Sequence, residues 1–193
     1  MLRTSKKLIL IVAVVVVAVI FIFVFNGSRQ ANGKDIVVEV STDKSSYTAG
    51  EKVNIKLNLI NSGSAGACLS ESSIGNISFV SLTRDGTVVE TRSAPSYFLT
   101  SFSQILKSRL ITVAPGSVMK LSLMSGFDPG LDAEALSTTM PEDTSGIATF
   151  YNIEKPGQYE LWLVYEYTGE PSDDCTDTIK GPTNVAKVTF TVK

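Results

Sequence analysis

An unbroken apolar segment near the N-terminus limits what this chain can fold into more than any other feature. Residues 8–25, LILIVAVVVVAVIFIFVF, are eighteen consecutive apolar side chains without a charge, Gly or Pro. As a helix they extend roughly 27 Å, close to the thickness of a bilayer's hydrocarbon core. Val and Ile favour strands in water, but one segment in hydrocarbon can pair all its backbone groups only as a helix. The segment is therefore predicted to be a transmembrane α-helix in contact with membrane lipid.

A cleaved secretory signal is the alternative interpretation of the same segment. Such signals have an apolar region of about 7–15 residues followed by a small-x-small cleavage site. This run is longer, and the nearest cleavage-like site, Ala31-Asn32-Gly33, lies well beyond its end. The pattern favours an uncleaved signal anchor, and a secreted domain after cleavage stays open as the alternative.

Charge and size together predict the orientation of the anchor. Arg3, Lys6 and Lys7 precede the apolar segment, while Arg29 and Lys34 follow it. This difference slightly favours a cytoplasmic N-terminus, and the short tail is expected to stay inside while the large C-terminal part crosses the cell membrane. The predicted organisation is a cytoplasmic basic tail at 1–7, a single-pass helix at 8–25, a short tether at 26–35 and an extracytoplasmic domain at 36–193.

The predicted external part is acidic, with 12 basic and 19 acidic residues from position 35 onward. A formal charge of −7 repels nucleic acid and anionic lipid headgroups, so neither is expected as a partner. Cys68 and Cys175 are an even pair in a compartment that permits disulfides, and they are predicted to be bridged. Two unpaired buried thiols are the alternative.

Alternation of apolar and polar side chains dominates the C-terminal part. Residues 53–59, VNIKLNL, place four aliphatic side chains on one face of a strand and three polar ones on the other. Similar patterns separated by Gly or Pro turns predict seven or eight antiparallel strands packed as a sandwich. The other predicted strands are 36–40, 76–82, 87–91, 109–113, 117–124, 158–167 and 186–192.

The stretch from residue 125 to residue 147 interrupts these strands. It is rich in Gly, Pro, Ser, Thr and acidic residues, so it is predicted to be a long insertion between strands, of the kind that often carries function. Residues 131–136, LDAEAL, are predicted to form one or two helical turns within it.

The pattern Gly157-x-Tyr159-x-Leu161 resembles the tyrosine corner of immunoglobulin-like and fibronectin-III-like sandwiches. The resemblance implies that the Tyr159 hydroxyl bonds back to the backbone and that Tyr159, Leu161 and Leu163 face the core, with Trp162 facing outward. Leu161 stands where the antibody family has its second cysteine, so the chain departs from that family. In this topology Cys68 and Cys175 fall in loops that cluster at one end of the sandwich.

Four turn-and-strand motifs are similar to bacterial sandwich domains that include the BsuPI-type proteinase inhibitors. They are Tyr47-x-x-Gly-Glu-x-Val53 with Asn61, TRDGxVV at 83–89, APGSxxxL at 114–121 and KPGQYEL at 155–161. These motifs describe a scaffold, so the resemblance implies the fold, and inhibitory activity need not transfer with it.

Residue types argue against an enzyme. The chain contains no histidine, which excludes His-based triads and His-ligated metal centres. Two Ser-x-x-Lys patterns, Ser41 to Lys44 and Ser117 to Lys120, fall in a loop and on a predicted strand, where the two side chains do not share a helical face. No catalytic residue and no cofactor is predicted.

Candidate binding residues form two groups. Carboxylates around Cys175 offer oxygen ligands that suit Ca²⁺, and a solvated acidic loop is the alternative. Aromatic side chains offer a hydrophobic contact surface, and burial beneath a loop is the alternative. The carboxylates are Glu170, Asp173, Asp174 and Asp177, and the aromatic residues are Tyr97, Phe98, Phe102 and Trp162.

Glycosylation acceptor patterns begin at Asn26 and Asn76. The function expected from all these features is that of a non-catalytic, membrane-anchored domain that binds a protein through its disulfide-linked loops or serves as an accessory subunit of a membrane complex. Inhibition of an extracytoplasmic protease is the alternative.

Overall fold

The computed structural model describes residues 32–96, 102–142 and 145–193. The predicted transmembrane helix at 8–25 lies outside these residues, and no helix within them has the length and apolar character to cross a bilayer. They contain a 3-10 turn, Gly33–Asp35, and an α-helix, α1 (Phe102–Ser108). The strands are β1 (Ile36–Thr42), β2 (Ser46–Tyr47), β3 (Asn54–Asn61), β4 (Ala67–Ser70), β5 (Ile77–Arg84), β6 (Thr87–Val88), β7 (Thr91–Ser96), β8 (Leu110–Val113), β9 (Val118–Met124), β10 (Gly126–Asp128), β11 (Ala133–Glu142), β12 (Ser145–Asn152), β13 (Gly157–Tyr165) and β14 (Ala186–Val192).

The first sheet has three antiparallel strands in the order β1-β3-β9. Its inner face carries the aliphatic residues that the alternating pattern predicted, and these are fully buried on β3. On the outer face Val37, Ile60 and Val118 stand in register across the three strands, and the next outward row is Glu39, Asn58 and Lys120. The outer face is therefore apolar at one end and polar beyond it.

The second sheet has five strands in the order β2-β14-β13-β5-β6, all antiparallel except the β2–β14 pair. Alternate residues of its central strand β13 are buried. Tyr159 stacks on Phe190 of β14, with ring centroids 5.1 Å apart. Buried side chains of the first and second sheets form one hydrophobic cluster, so the fold is all-β and consistent with a β-sandwich.

A third sheet, in the order β10-β11-β12-β7, corrects two predictions. The described residues between 125 and 147 lie mostly in β10, β11 and β12 rather than in a long loop, and residues 131–136 lead into β11 rather than forming a helix. Leu136 joins the main core, while Ala133 and Ala135 are buried on the opposite face of β11. Because these buried positions of β11 hold small residues instead of large aliphatic ones, the sequence shows no clear alternation of apolar and polar side chains there.

An ion pair joins the two edge strands of this third sheet. Arg92 on β7 contacts Asp128 on β10 through two nitrogens, with Nε 2.9 Å from Oδ2. The guanidinium carbon also lies 4.7 Å from the centroid of Phe150. A Cβ at Gly130 would stand 2.1 Å from Arg92 Nε, so a larger residue at this position would displace the guanidinium. We call this pair the arginine clasp. Because it joins the edge strands β7 and β10, the sheet has to curl.

Shorter elements account for the remaining differences from the sequence prediction. The described residues form fourteen strands rather than seven or eight. The predicted strand 87–91 is interrupted, because β6 ends at Val88 and β7 begins at Thr91. The two-stranded sheet β4–β8 and the helix α1 were not predicted. The other predicted strands lie within about two residues of observed ones, as expected for sequence-based boundaries.

Candidate functional site

Cys68 and Cys175 form a disulfide across 107 positions of the chain, which confirms the predicted pair. Cys68 lies on β4, and its backbone N–H donates to the carbonyl oxygen of Asp177 at 3.1 Å. Thr112, opposite Cys68 on β8, lies with its hydroxyl 3.5 Å from Cys175 Sγ. Both cysteines are buried. The bond therefore attaches the connection between β13 and β14 to the small β4–β8 sheet.

Buried polar groups complete this end of the sandwich. The Tyr165 hydroxyl accepts a hydrogen bond from the Ser70 N–H at 2.7 Å and donates to the Ser70 carbonyl at 3.2 Å. Burial raises the pKa of Tyr165, so the phenol stays protonated. The Asn61 carboxamide donates to the carbonyl oxygens of Ala65 and Val113, both at 2.8 Å. We call this end, residues 61–75, 109–117 and 166–185, the disulfide pole.

The four carboxylates near Cys175 do not converge on a metal. Within the part of the chain that the structure describes, no group of three or more acidic or cysteine side chains is placed to hold a cation. Asp173 and Asp174 are exposed in a turn that Ser172 and Cys175 close through two backbone hydrogen bonds of 3.1 Å. The Glu170 carbonyl accepts the Tyr167 hydroxyl at 2.7 Å. Backbone atoms of this segment bond to the fold, while its exposed carboxylates face water.

The chain enters the folded domain at the disulfide pole. Asn32 and Asp35 form a capping box around the 3-10 turn, and the Gly33 N–H donates to the Lys180 carbonyl at 3.1 Å. A Cβ at Gly33 would stand 2.3 Å from the carbonyl oxygen of the residue after Lys180, so only glycine fits. The last four residues of the predicted tether 26–35 thus lie in a turn that bonds to the segment before β14.

Three segments form the opposite end, residues 43–53, 84–90 and 152–157, which we call the hairpin pole. Asp85 and Gly86 have φ values of 49° and 80° and close the tight β5–β6 hairpin. The Asp85 carboxylate accepts the Gln158 N–H at 2.9 Å. A Cβ at Gly157 would stand 2.5 Å from the same carboxylate. The hairpin is thereby fixed to the start of β13.

The Tyr159 hydroxyl donates to the Lys155 carbonyl oxygen at 2.7 Å. This is the contact that a tyrosine corner requires, with the acceptor four residues upstream. Tyr159 is fully buried, and its burial raises the pKa of the phenol. The side chain connects the core to the turn at the hairpin pole.

Replacing Tyr159 separates the hydrogen bond from the packing of its ring. Tyr159→Phe is expected to cost about 1 kcal/mol of unfolding free energy because one buried hydrogen bond is lost. Tyr159→Leu is expected to cost about 2–3 kcal/mol because the stack on Phe190 is lost as well. Urea denaturation followed by Trp162 fluorescence measures both. Equal losses in the two variants would contradict a separate role for the hydroxyl.

A cleft of about 330 Å³ opens at the hairpin pole between the second and third sheets. Lys155 Nζ lies 3.9 Å from Glu90 Oε2, and both side chains are exposed. Val88 on the edge strand β6 is 72% exposed beside them. The cleft could not be predicted from the sequence because its lining residues come from segments more than 60 positions apart, 84–90 and 152–155. Its lining residues are Arg84, Thr87, Val88, Val89, Glu90, Asn152 and Lys155.

The predicted aromatic surface is only partly described. Tyr97 and Phe98 lie outside the described residues, and so does the side chain of Phe102 at the start of α1. Trp162 lies half-buried on β13, with the Lys187 Nζ 5.0 Å from its ring centroid. Its indole N–H donates to Glu160 Oε1 at 2.6 Å, and Lys187 pairs with the same carboxylate and lowers its pKa. Trp162 thus belongs to a surface network of charged residues.

Lys44, from the first Ser-x-x-Lys pattern, forms an ion pair with Glu51. The pair raises the pKa of Lys44 and lowers that of Glu51 to about 2. A lysine kept protonated in this way is a poor general base. The geometry gives this pattern a role in the turn before β3.

The motifs shared with the inhibitor-like domains also have structural roles here. Glu51 accepts the Thr48 N–H at 2.9 Å and closes the turn after Tyr47. Gly116, with a φ of 73°, donates its N–H to the Asn61 carbonyl at 2.7 Å. These residues fix turns between strands, and such contacts describe a scaffold rather than an inhibitory surface.

The acceptor pattern at Asn76 is closed in the folded domain. Asn76 is fully buried at the start of β5, and its carboxamide nitrogen donates to the Ser72 carbonyl at 2.8 Å. An oligosaccharide needs that nitrogen, so the folded chain cannot carry one there. Asn26 lies outside the described residues.

Comparison with known proteins leaves the geometry as the basis for assigning a function. The cleft, the disulfide pole and the position where the chain enters the domain are the features that bear on it. No protein-family model matches this chain, and no curated protein matches it.

Proposed function

We propose that this chain is a single-pass membrane protein whose residues 8–25 anchor a non-catalytic, extracytoplasmic, immunoglobulin-like domain that binds a protein partner. The unbroken apolar segment supports the anchor. The disulfide supports an oxidising compartment beyond the membrane. The absence of histidine from the sequence supports a binding role over a catalytic one.

The order of the strands supports the immunoglobulin-like assignment. The first sheet, β1-β3-β9, follows the A-B-E order of such domains, and β5, β13 and β14 follow the C-F-G order. The hydrogen bond from Tyr159 to Lys155 lies at the position of the tyrosine corner. The third sheet is an addition to this pattern, inserted before and after β9.

The observation that carries the proposal is the separation of the two poles. The chain enters at the disulfide pole through Gly33 and Lys180, whereas the cleft lies at the far end of β13. Nine strand residues separate the ends by roughly 30 Å. An anchor at 8–25 therefore turns the disulfide pole toward the membrane and the cleft away from it. The binding surface we propose is the hairpin pole, not the disulfide-linked loops that the sequence suggested.

The cleft also suggests the chemistry of the partner. Arg84 and Lys155 place two cations in a domain that is acidic overall, beside the exposed aliphatic side chain of Val88. A protein segment with an acidic residue next to an apolar one complements this surface. The β6 edge adds unpaired backbone groups that an extended segment can use.

Photocrosslinking in native membranes tests the proposal. With p-benzoylphenylalanine in place of Val88, a covalent adduct with a partner protein is expected. The same substitution at Ile74, which is exposed on the disulfide pole, is expected to give none. Arg84→Glu combined with Lys155→Glu should abolish the adduct, because two attractive charges become repulsive. Lys56→Glu combined with Lys120→Glu, on the outer face of the first sheet, makes the same change in net charge and serves as the matched control.

Two results would contradict the proposal. One is an adduct from position 74 and none from position 88, which would return the binding surface to the disulfide pole. The other is recovery of the full-length chain in the soluble fraction after alkaline extraction of membranes, which would remove the anchor.

A further inference from the structure

An apolar row lies on the outer face of the first sheet at the disulfide pole. It consists of Val37, Ile60 and Val118, which are neighbours across β1, β3 and β9. Val37 is 39% exposed and Val118 is 47% exposed, with half-buried Ile60 between them. Three β-branched side chains in register form a continuous apolar strip. Nothing within the described part of the chain covers it.

The row is confined to the end of the sheet where the chain enters the domain. The next outward row, Glu39, Asn58 and Lys120, is polar. The apolar row therefore includes only one residue from each strand. Val37 follows Gly33 by four positions, and Gly33 is packed against the Lys180 carbonyl. The position of the strip relative to the start of the domain is therefore fixed by the fold.

The length of chain before the domain limits how far this pole can stand from the anchor. Only residues 26–31 separate the apolar segment from Asn32. Six fully extended residues span at most about 20 Å. The proposed anchor therefore keeps the disulfide pole within reach of the bilayer surface.

We infer that the disulfide pole rests on the membrane, with the apolar row in contact with the interfacial region of the bilayer. This rests on the proposed anchor at residues 8–25. Exposed Lys34 and Lys180 flank the position where the chain enters, and both suit lipid phosphates. Residues 26–31, NGSRQA, contain no large apolar side chain that would complement an aliphatic strip. The exposed carboxylates of Glu170, Asp173 and Asp174 lie on the same pole, so the apolar row, and not net charge, carries the inferred contact with lipid.

Depth-dependent quenching of a single tryptophan tests the inference. The full-length chain carrying Trp162→Phe is reconstituted into phosphatidylcholine and phosphatidylglycerol vesicles, with or without brominated phosphatidylcholine. Val118→Trp is compared with Met124→Trp, which lies on the same strand and the same outward face and is 60% exposed. Six positions along β9 place the control roughly 20 Å farther from the disulfide pole.

The brominated lipid is expected to quench the Val118→Trp variant severalfold more than the Met124→Trp variant. Equal and weak quenching of both, in chains that float with the vesicles, would overturn the inference while leaving the anchor intact. Chains that do not float at all would overturn the anchor and the inference together. A blue-shifted, unquenched Val118→Trp emission that depends on the ratio of protein to lipid would assign the row to contact with a second copy and overturn lipid contact.

Discussion

Removing the disulfide is expected to lower the unfolding free energy by about 4–5 kcal/mol, because the bond closes a loop of 107 positions. The change is Cys68→Ala together with Cys175→Ala. In the unfolded state the bond holds residues 68 and 175 together, and without it the unfolded chain gains conformational entropy. Urea denaturation of the full-length protein in detergent, followed by Trp162 fluorescence, measures the loss.

Thr112→Val is the matched control, because Thr112 contacts Cys175 without contributing to the covalent link. It is expected to cost no more than about 1 kcal/mol. A similar small loss in the double cysteine variant would contradict the role assigned to the bond. In that case Tyr165 and Asn61 would order the pole by hydrogen bonding alone.

Arg92→Met is expected to destabilise the protein by about 3–5 kcal/mol, because it leaves the carboxylate of Asp128 buried without a cation. Asp128 is only 2% exposed, and Arg92 provides its ion pair. The hydrogen bond from Leu131 N–H to Asp128 Oδ2, at 3.0 Å, does not neutralise the charge. Urea denaturation at pH 7 gives the size of the effect.

The pH dependence of this variant tests the cause. In the natural chain Arg92 holds the pKa of Asp128 below its usual range, so the stabilisation is present above the unfolded pKa near 3.9 and is lost as the pH falls through the folded pKa. Without Arg92, burial raises the pKa of Asp128 instead. The deficit of Arg92→Met is therefore expected to shrink as the pH falls from 7 to about 5.

The double variant Arg92→Met with Asp128→Leu is the control, since it removes both charges. It is expected to recover most of the loss at pH 7, because an apolar pair carries no desolvated charge. A deficit that is the same at pH 5 and pH 7, with no recovery in the double variant, would contradict the electrostatic cause. The clasp would then act through packing against Phe150 alone.

The strands of the two main sheets could be predicted because their buried positions hold large aliphatic or aromatic residues. Leu57 and Leu161 lie in segments where such residues alternate with polar ones. The third sheet could not be predicted in the same way. Ala133 and Ala135 are small because the Arg92 side chain crosses the face of the third sheet on which both alanines lie. An ion pair covers that face, and ion pairs leave no periodic signal in hydropathy.

The candidate site was the part least accessible from the sequence. The disulfide could be predicted because the chain has an even number of cysteines. The position of the disulfide pole relative to the start of the domain could not, because it depends on the hydrogen bond from Gly33 to Lys180, residues nearly 150 positions apart. The cleft combines Arg84 at the end of β5 with Glu90 and Lys155 from two connections between strands. Such a grouping exists only once β5, β6 and β13 have paired. The carboxylates around Cys175 are close in sequence but diverge because the turn points them into water.

The burial of Asn76 has a practical consequence for producing this protein. In a host that attaches oligosaccharides during translocation, the acceptor pattern is reachable only before β5 pairs with β13. A chain modified there can no longer bury Asn76 or keep its bond to Ser72. The fraction of chains that carry a sugar at Asn76 would therefore measure the fraction that did not fold correctly. A gel-mobility shift would report that fraction for each preparation.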